Sequence, residues 1–125
     1  MSILLFALAA AVQPPDTPPQ VQTIKEGDAY VMRTLDGGRP IYTFDRDEPG
    51  KSNCIDRCIT AWPAVTAPAG SKPVGRWTIF ARADGTLQWA FDTKPVYTFI
   101  RDSEGTATGD GMGGVWHLIP NTPGK

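Results

Sequence analysis

The sequence predicts a mainly β fold: two related hairpin-based repeats packed as one domain, with a short helix near a cysteine pair. Three observations predict it. Pro40-Ile41-Tyr42-Thr43-Phe44-Asp45-Arg46-Asp47 returns as Pro95-Val96-Tyr97-Thr98-Phe99-Ile100-Arg101-Asp102, a constant offset of 55 positions that Gly50 and Gly105 also obey. Self-similarity of this kind specifies two copies of one supersecondary unit. Apolar residues elsewhere mostly alternate between dense Gly, Pro and Asp turn signals, which is the period of strands. Helical periodicity is confined to one short segment.

The chain opens with an uncharged apolar run, Met1 to Val12. It has signal-peptide length and is far short of the roughly 20 residues that span a bilayer. Residues 1–12 are therefore expected to be a signal peptide, with small-residue cleavage candidates near 9–12. Gln13 to Gln20 is polar and proline-rich, so residues 13–26 are expected to form an extended spacer. The domain proper is placed at 27–120, with repeats at 27–65 and 74–120 and a linker from Ala64 to Gly75 between them. A length of 125 residues and a net charge of −1 with both signs scattered suit one domain and give no sign of a nucleic-acid or anionic-membrane partner.

Within the first repeat, Ala29 to Leu35, Asp36-Gly37-Gly38 and Pro40 to Phe44 read as a hairpin. In the second, Trp77 to Ala83 and Thr86 to Phe91 flank Asp84-Gly85, a pair suited to a two-residue turn. That loop would pair Arg82 with Leu87, Phe80 with Trp89 and Thr78 with Phe91. In each repeat the returning strand starts at a proline and puts its Tyr and Phe on one face. An Asp then opens a turn that Gly closes, its carboxylate accepting backbone N–H groups. Pro49 sits at an awkward position of the first such turn, so the two turns are expected to differ in type. Ser52 to Trp62 is the helix candidate, capped by Ser52 or Asn53 and stopped by Pro63.

Tyr-x-Phe-x-x-Asp twice, followed in the first copy by Cys54-x3-Cys58-x3-Trp62-Pro63, resembles a bacterial family. It is known as the secreted repeat of unknown function, or as predicted lipoproteins with a Tyr-x-(Phe/Trp/Tyr)-x-x-Asp motif. The motif residues are Tyr42, Phe44, Asp47, Tyr97, Phe99, Asp102, Trp62 and Pro63. The resemblance implies an exported bacterial protein, periplasmic or extracellular, and no established activity. The anchoring cysteine of a lipoprotein does not follow the apolar run here.

Cys54 and Cys58 are the sharpest chemical feature. An isolated close pair in an exported chain reads as a structural disulfide. The alternative is a redox or copper-handling site in which His117 and Met112 join the two sulfurs, a soft ligand set that suits copper. Thioredoxin-type and haem-attachment spacings are absent. Asp45-x-Asp47-x-Pro49-Gly50 fails as a calcium loop, and Gly50-Lys51-Ser52 fails as a phosphate loop. No Ser/His/Asp set or nucleophile elbow is present. The glycine-rich stretch Thr108 to Gly114 is either a closing loop or a ligand lid. Large aromatics belong mostly to the core, with a few available for a groove at the junction of the units. The function expected is a non-enzymatic binding module of the cell envelope, with no favoured cofactor, taking an envelope protein, a glycan or a small ligand.

Overall fold

A computed structural model describes residues 16–119; the expected signal peptide and its cleavage region lie outside them. Seven strands and one α-helix follow in order, with a 3₁₀ turn at Met112–Gly114 before the last strand: β1 Val21–Glu26, β2 Ala29–Thr34, β3 Tyr42–Phe44, α1 Arg57–Ala61, β4 Trp77–Ala81, β5 Leu87–Phe91, β6 Lys94–Tyr97 and β7 Trp116–Leu118. β1 and β2 form a two-stranded ribbon, and the rest make a five-stranded sheet in the order β4-β5-β6-β3-β7. All its described pairings are antiparallel.

Strand alternation loads both faces of this sheet. Ile41 and Val96 point into one core with Trp77, Trp89, Phe91 and Ile119. Their neighbours Tyr42 and Tyr97 point into the other, with Cys54, Trp62, Phe99 and Trp116. Tyr42 stands directly opposite Tyr97 on the paired central strands β3 and β6. The two repeats therefore meet with approximate two-fold symmetry at the motif tyrosines.

Six sequence expectations are corrected. The stretch read as spacer carries β1, whose Val21 is buried in the core, and Gln20 accepts the indole N–H of Trp89 at 3.0 Å. Val-x-Thr-x-Lys alternation was the signal there, masked by the prolines before it. The first expected hairpin closes at its turn but does not extend into a ladder: β2 pairs with β1 and meets the next segment at the Arg33–Pro40 bridge, through the Thr34 N–H to Arg39 carbonyl bond and through the Arg39 N–H to the Thr34 hydroxyl. The second hairpin forms one residue out of the expected register, pairing Trp77 with Phe91, Ile79 with Trp89 and Ala81 with Leu87. Arg82 N–H bonds the Thr86 carbonyl, so the loop has three residues. Gly85 takes the left-handed conformation with φ 87°, as three-residue loops require. This register puts Trp77 and Trp89 on the same buried face.

The helix is short as expected but starts at Arg57, because the expected caps face elsewhere: the Asn53 side-chain amide donates to the Arg46 carbonyl and the Ser52 hydroxyl bonds Tyr97. The two motif turns match in register instead of differing. Lys51 N–H bonds the Glu48 carbonyl, and Thr106 N–H bonds the Ser103 carbonyl. Each turn thus starts one residue after the motif Asp, with Gly50 or Gly105 at positive φ in the third position. Pro49 then falls second, where proline is favoured. The linker also has structure at its start, since Val65 bonds both Val96 and Trp89 through its backbone.

Candidate functional site

The motif builds a pair of crossed clamps. Tyr42 of the first unit donates its phenol to Asp102 Oδ2 of the second at 2.5 Å. Tyr97 of the second donates to Asp47 Oδ2 of the first at 2.6 Å. The other oxygen of each carboxylate takes a backbone N–H six residues on: Asn53 to Asp47 Oδ1 at 2.6 Å and Thr108 to Asp102 Oδ1 at 2.8 Å. The motif Asp does serve backbone N–H groups, as its place before a turn suggests. Its bond to the other repeat was not visible in either copy alone.

The remaining lone pairs are filled differently in the two units. Tyr42 Oη accepts the Gly109 N–H at 3.2 Å. Tyr97 Oη lies 2.5 Å from Ser52 Oγ. The one phenolic proton of Tyr97 goes to Asp47, so Ser52 is the donor in that contact. Arg82 then donates to Ser52 Oγ at 2.9 Å, to Gln88 Oε1 at 2.7 Å and to the Cys54 carbonyl at 2.7 Å. Fully buried Gln88 donates in turn to the Val96 carbonyl. Ser52, Arg82 and Gln88 escaped the sequence reading. The one available signal was an Arg and a Gln in the otherwise apolar strands of the second hairpin.

Burial dominates the electrostatics. Removal from water raises the phenols of both Tyr42 and Tyr97 above the ordinary value of 10.0, and the bonded carboxylates add to the rise. Burial also lifts the Asp47 carboxyl above 3.8, against the opposing influence of Tyr97, Asn53 and Arg82. A phenol held neutral beside a carboxylate is a structural bond. Among the described residues Ser52 has only donors and a high-pKa phenol around it, and no base within hydrogen-bond reach to activate it.

Around the clamps runs a ladder of rings. Phe44 stacks on Trp116 with centroids 4.2 Å apart, Trp116 on Trp62 at 3.8 Å, and Trp62 on Phe99 at 4.2 Å. Tyr42 meets Trp62 edge-on and Tyr97 meets Trp116 likewise. The ladder obeys the same two-fold symmetry, with Trp116 as the second unit's counterpart of Trp62. Gly109 belongs to this packing: a Cβ there would lie 2.5 Å from Trp62 Cη2. Pro63 ends the helix and offers its carbonyl to the Thr98 N–H, so the glycine-rich loop and the Trp-Pro segment both serve the frame.

Cys54 and Cys58 are joined in a disulfide with Cα atoms 5.1 Å apart, and Cys54 is fully buried. Cys54, Cys58 and His117 do not form one group among the described residues. The sulfurs are bound to each other, His117 Nε2 contacts Asp45 Oδ2 at 2.7 Å, and Met112 lines a groove beside α1. Strand alternation explains the separation, since Trp116 turns inward beside the clamps and its neighbour His117 turns outward. Among the described residues no group of three or more His, Cys, Asp or Glu is placed to hold a metal ion, and no helix is long and apolar enough to cross a membrane.

No curated protein and no solved structure matches the chain. A family profile described as a secreted repeat of unknown function does, over residues 31–66 and 78–119, together more than half of the sequence. Those two segments are the two units that exchange their Tyr–Asp bonds, and the chain belongs to the family of secreted repeats of unknown function.

Proposed function

We propose that this exported protein is a non-enzymatic binding module of the bacterial cell envelope, acting in the periplasm or outside the cell. The observation that carries this reading is the complete internal use of the motif. Both oxygens of Asp47 and Asp102 and both phenols of Tyr42 and Tyr97 are bonded within the fold. The duplicated residues are a scaffold, and ligand recognition falls to what surrounds them.

The favoured place is a hollow of about 500 Å³ between the β1–β2 ribbon and β7. Its walls combine apolar Met32 and Ile119 with Arg33, Glu26, Asp110 and His117. Apolar walls with a few convergent polar groups are the usual make-up of a small-ligand site. A glycan, a peptide side chain or a small amphiphile matches that lining.

Amide chemical-shift titration of the labelled protein against soluble glycans, short peptides and small amphiphiles tests the proposal. Binding should perturb residues around Met32, Arg33 and His117, which line the hollow, and leave those around Tyr97 and Asp47 unmoved. Perturbations centred on the clamps, or turnover of any compound, would overturn it.

A further inference from the structure

Within the duplicated octapeptide the two copies differ in polarity at one position, and that difference creates a surface. Position 45 of the first unit corresponds to position 100 of the second. Asp45 pairs with His117 near the Phe44 end of the ring ladder. At the Phe99 end the equivalent residue is Ile100, which is 51% exposed. Ile100 lines an open groove of about 510 Å³ with Ala61, Trp62 and Met112, flanked by Arg57 and Arg101. Met112, at 41% exposure, also projects into solvent. Both arginines are exposed and neither makes an ion pair or side-chain hydrogen bond among the described residues. Among the described residues no carboxylate lines the groove.

We infer that this end of the ladder docks on a bilayer surface carrying anionic phospholipid. Charge complementarity argues for it: two unpaired guanidinium groups present forks suited to phosphate. Shape argues for a surface over a small solute, because Ile100 and Met112 protrude where a small-molecule site would recess them. Apolar side chains entering the interface beside arginines that reach the headgroups is the arrangement of peripheral membrane binding. The near-neutral net charge gave no hint of it, since folding brings together Arg57 and Arg101 from different units. The inference concerns a surface apart from the hollow and stands independently of it.

The test is co-sedimentation of the full chain with vesicles of phosphatidylcholine alone or mixed equally with phosphatidylglycerol. All proteins compared share residues 1–15, so differences report the groove. Wild type should sediment with the anionic vesicles and release at high salt. Arg57→Gln with Arg101→Gln should weaken binding by about tenfold or more, the loss expected for two cations at an anionic surface. Ile100→Ser with Met112→Ser should weaken it at unchanged charge. Lys51→Gln with Lys94→Gln, matched in charge and remote from the groove, should leave it intact. Equal binding by the arginine double variant, or equal loss in the lysine control, would overturn the inference. So would a groove that takes inorganic phosphate or an acidic peptide while the protein ignores vesicles. Retained near-ultraviolet dichroism of the tryptophans identifies variants that remain folded.

Discussion

Tyr42 and Asp102 lie sixty residues apart in the chain and share a buried hydrogen bond of 2.5 Å, while their symmetry mates Tyr97 and Asp47 share one of 2.6 Å. Each repeat thus completes its motif with the other repeat's residue. Deleting the Tyr42 hydroxyl leaves a buried carboxylate oxygen without its donor, a loss of about 1–3 kcal/mol. Tyr42→Phe and Asp102→Asn should each destabilise by that order. Their double variant should cost clearly less than the sum, as expected for residues in contact. Urea denaturation of the four proteins measures the coupling; strict additivity would show that the crossed bond contributes nothing specific.

Gly109 should be intolerant of a side chain for steric reasons. An added Cβ would lie 2.5 Å from Trp62 and 3.1 Å from Phe99, which forces the stacked pair apart. Overpacking of this kind costs typically about 1–3 kcal/mol. Gly109→Ala should lower the urea midpoint by that amount and reduce the near-ultraviolet dichroism of the stacked indoles. A variant as stable as wild type with an unchanged spectrum would remove Gly109 from the packing.

The repeat was legible because a shared offset of identical residue types is independent of local conformation. Tyr42, Tyr97, Asp47 and Asp102 were all visible in it. The crossing was not, since an Asp before a turn has an adequate local explanation and nothing in either copy names a partner in the other. The hairpin at Asp84-Gly85 shows a different limit. Asp-Gly fits both a two-residue and a three-residue loop, and the choice rests on burying Trp77 with Trp89 and on Asp84 accepting the Thr86 N–H and hydroxyl. The Ser52–Arg82–Gln88 network was hidden because Ser52 belongs to the other repeat, and only the tertiary fold brings it to the hairpin that carries Arg82 and Gln88.

The disulfide closes a loop of few residues, so its contribution should be modest. The chain-entropy relation gives roughly 2 kcal/mol for a ring of about five residues. Cys54→Ser with Cys58→Ser should therefore fold and lose about that much stability, the change centring on α1. Thiol titration of the native, unreduced protein should find no free thiol, and unfolding without reductant should release none. Two titratable thiols in the oxidised protein would contradict the bridge.

Asp47 gives the acid limb of the pH profile a definite sign. Burial raises its carboxyl above 3.8, so the folded protein holds that proton more tightly than the unfolded chain does. The stability this provides is fully present below 3.8 and is lost as pH rises through the raised value. Asp47→Asn should be less stable overall, because its amide NH₂ faces either the Tyr97 hydroxyl or the Asn53 N–H. It should nevertheless lack this share of the slope. Equal slopes for wild type and Asp47→Asn in urea melts across the acid range would refute the assignment.

The alkaline limb belongs to the tyrosines. Burial and the adjoining carboxylates hold both phenols above 10.0 in the fold, whereas an unfolded chain releases those protons near the ordinary value. Above pH 10.0 the unfolded state therefore binds fewer protons, and stability present below that pH is lost as it rises further. Each phenol contributes a slope of up to 1.36 kcal/mol per pH unit, so the pair should give about 2.7 kcal/mol per unit. Absorbance of phenolate should rise together with unfolding and not before it. In Tyr42→Phe with Tyr97→Phe, less stable at neutral pH, the alkaline decline should flatten. Full ionisation of both phenols in a still-folded protein would show that the clamps open without loss of the fold and would reverse the reading of the Tyr–Asp pairs as its frame.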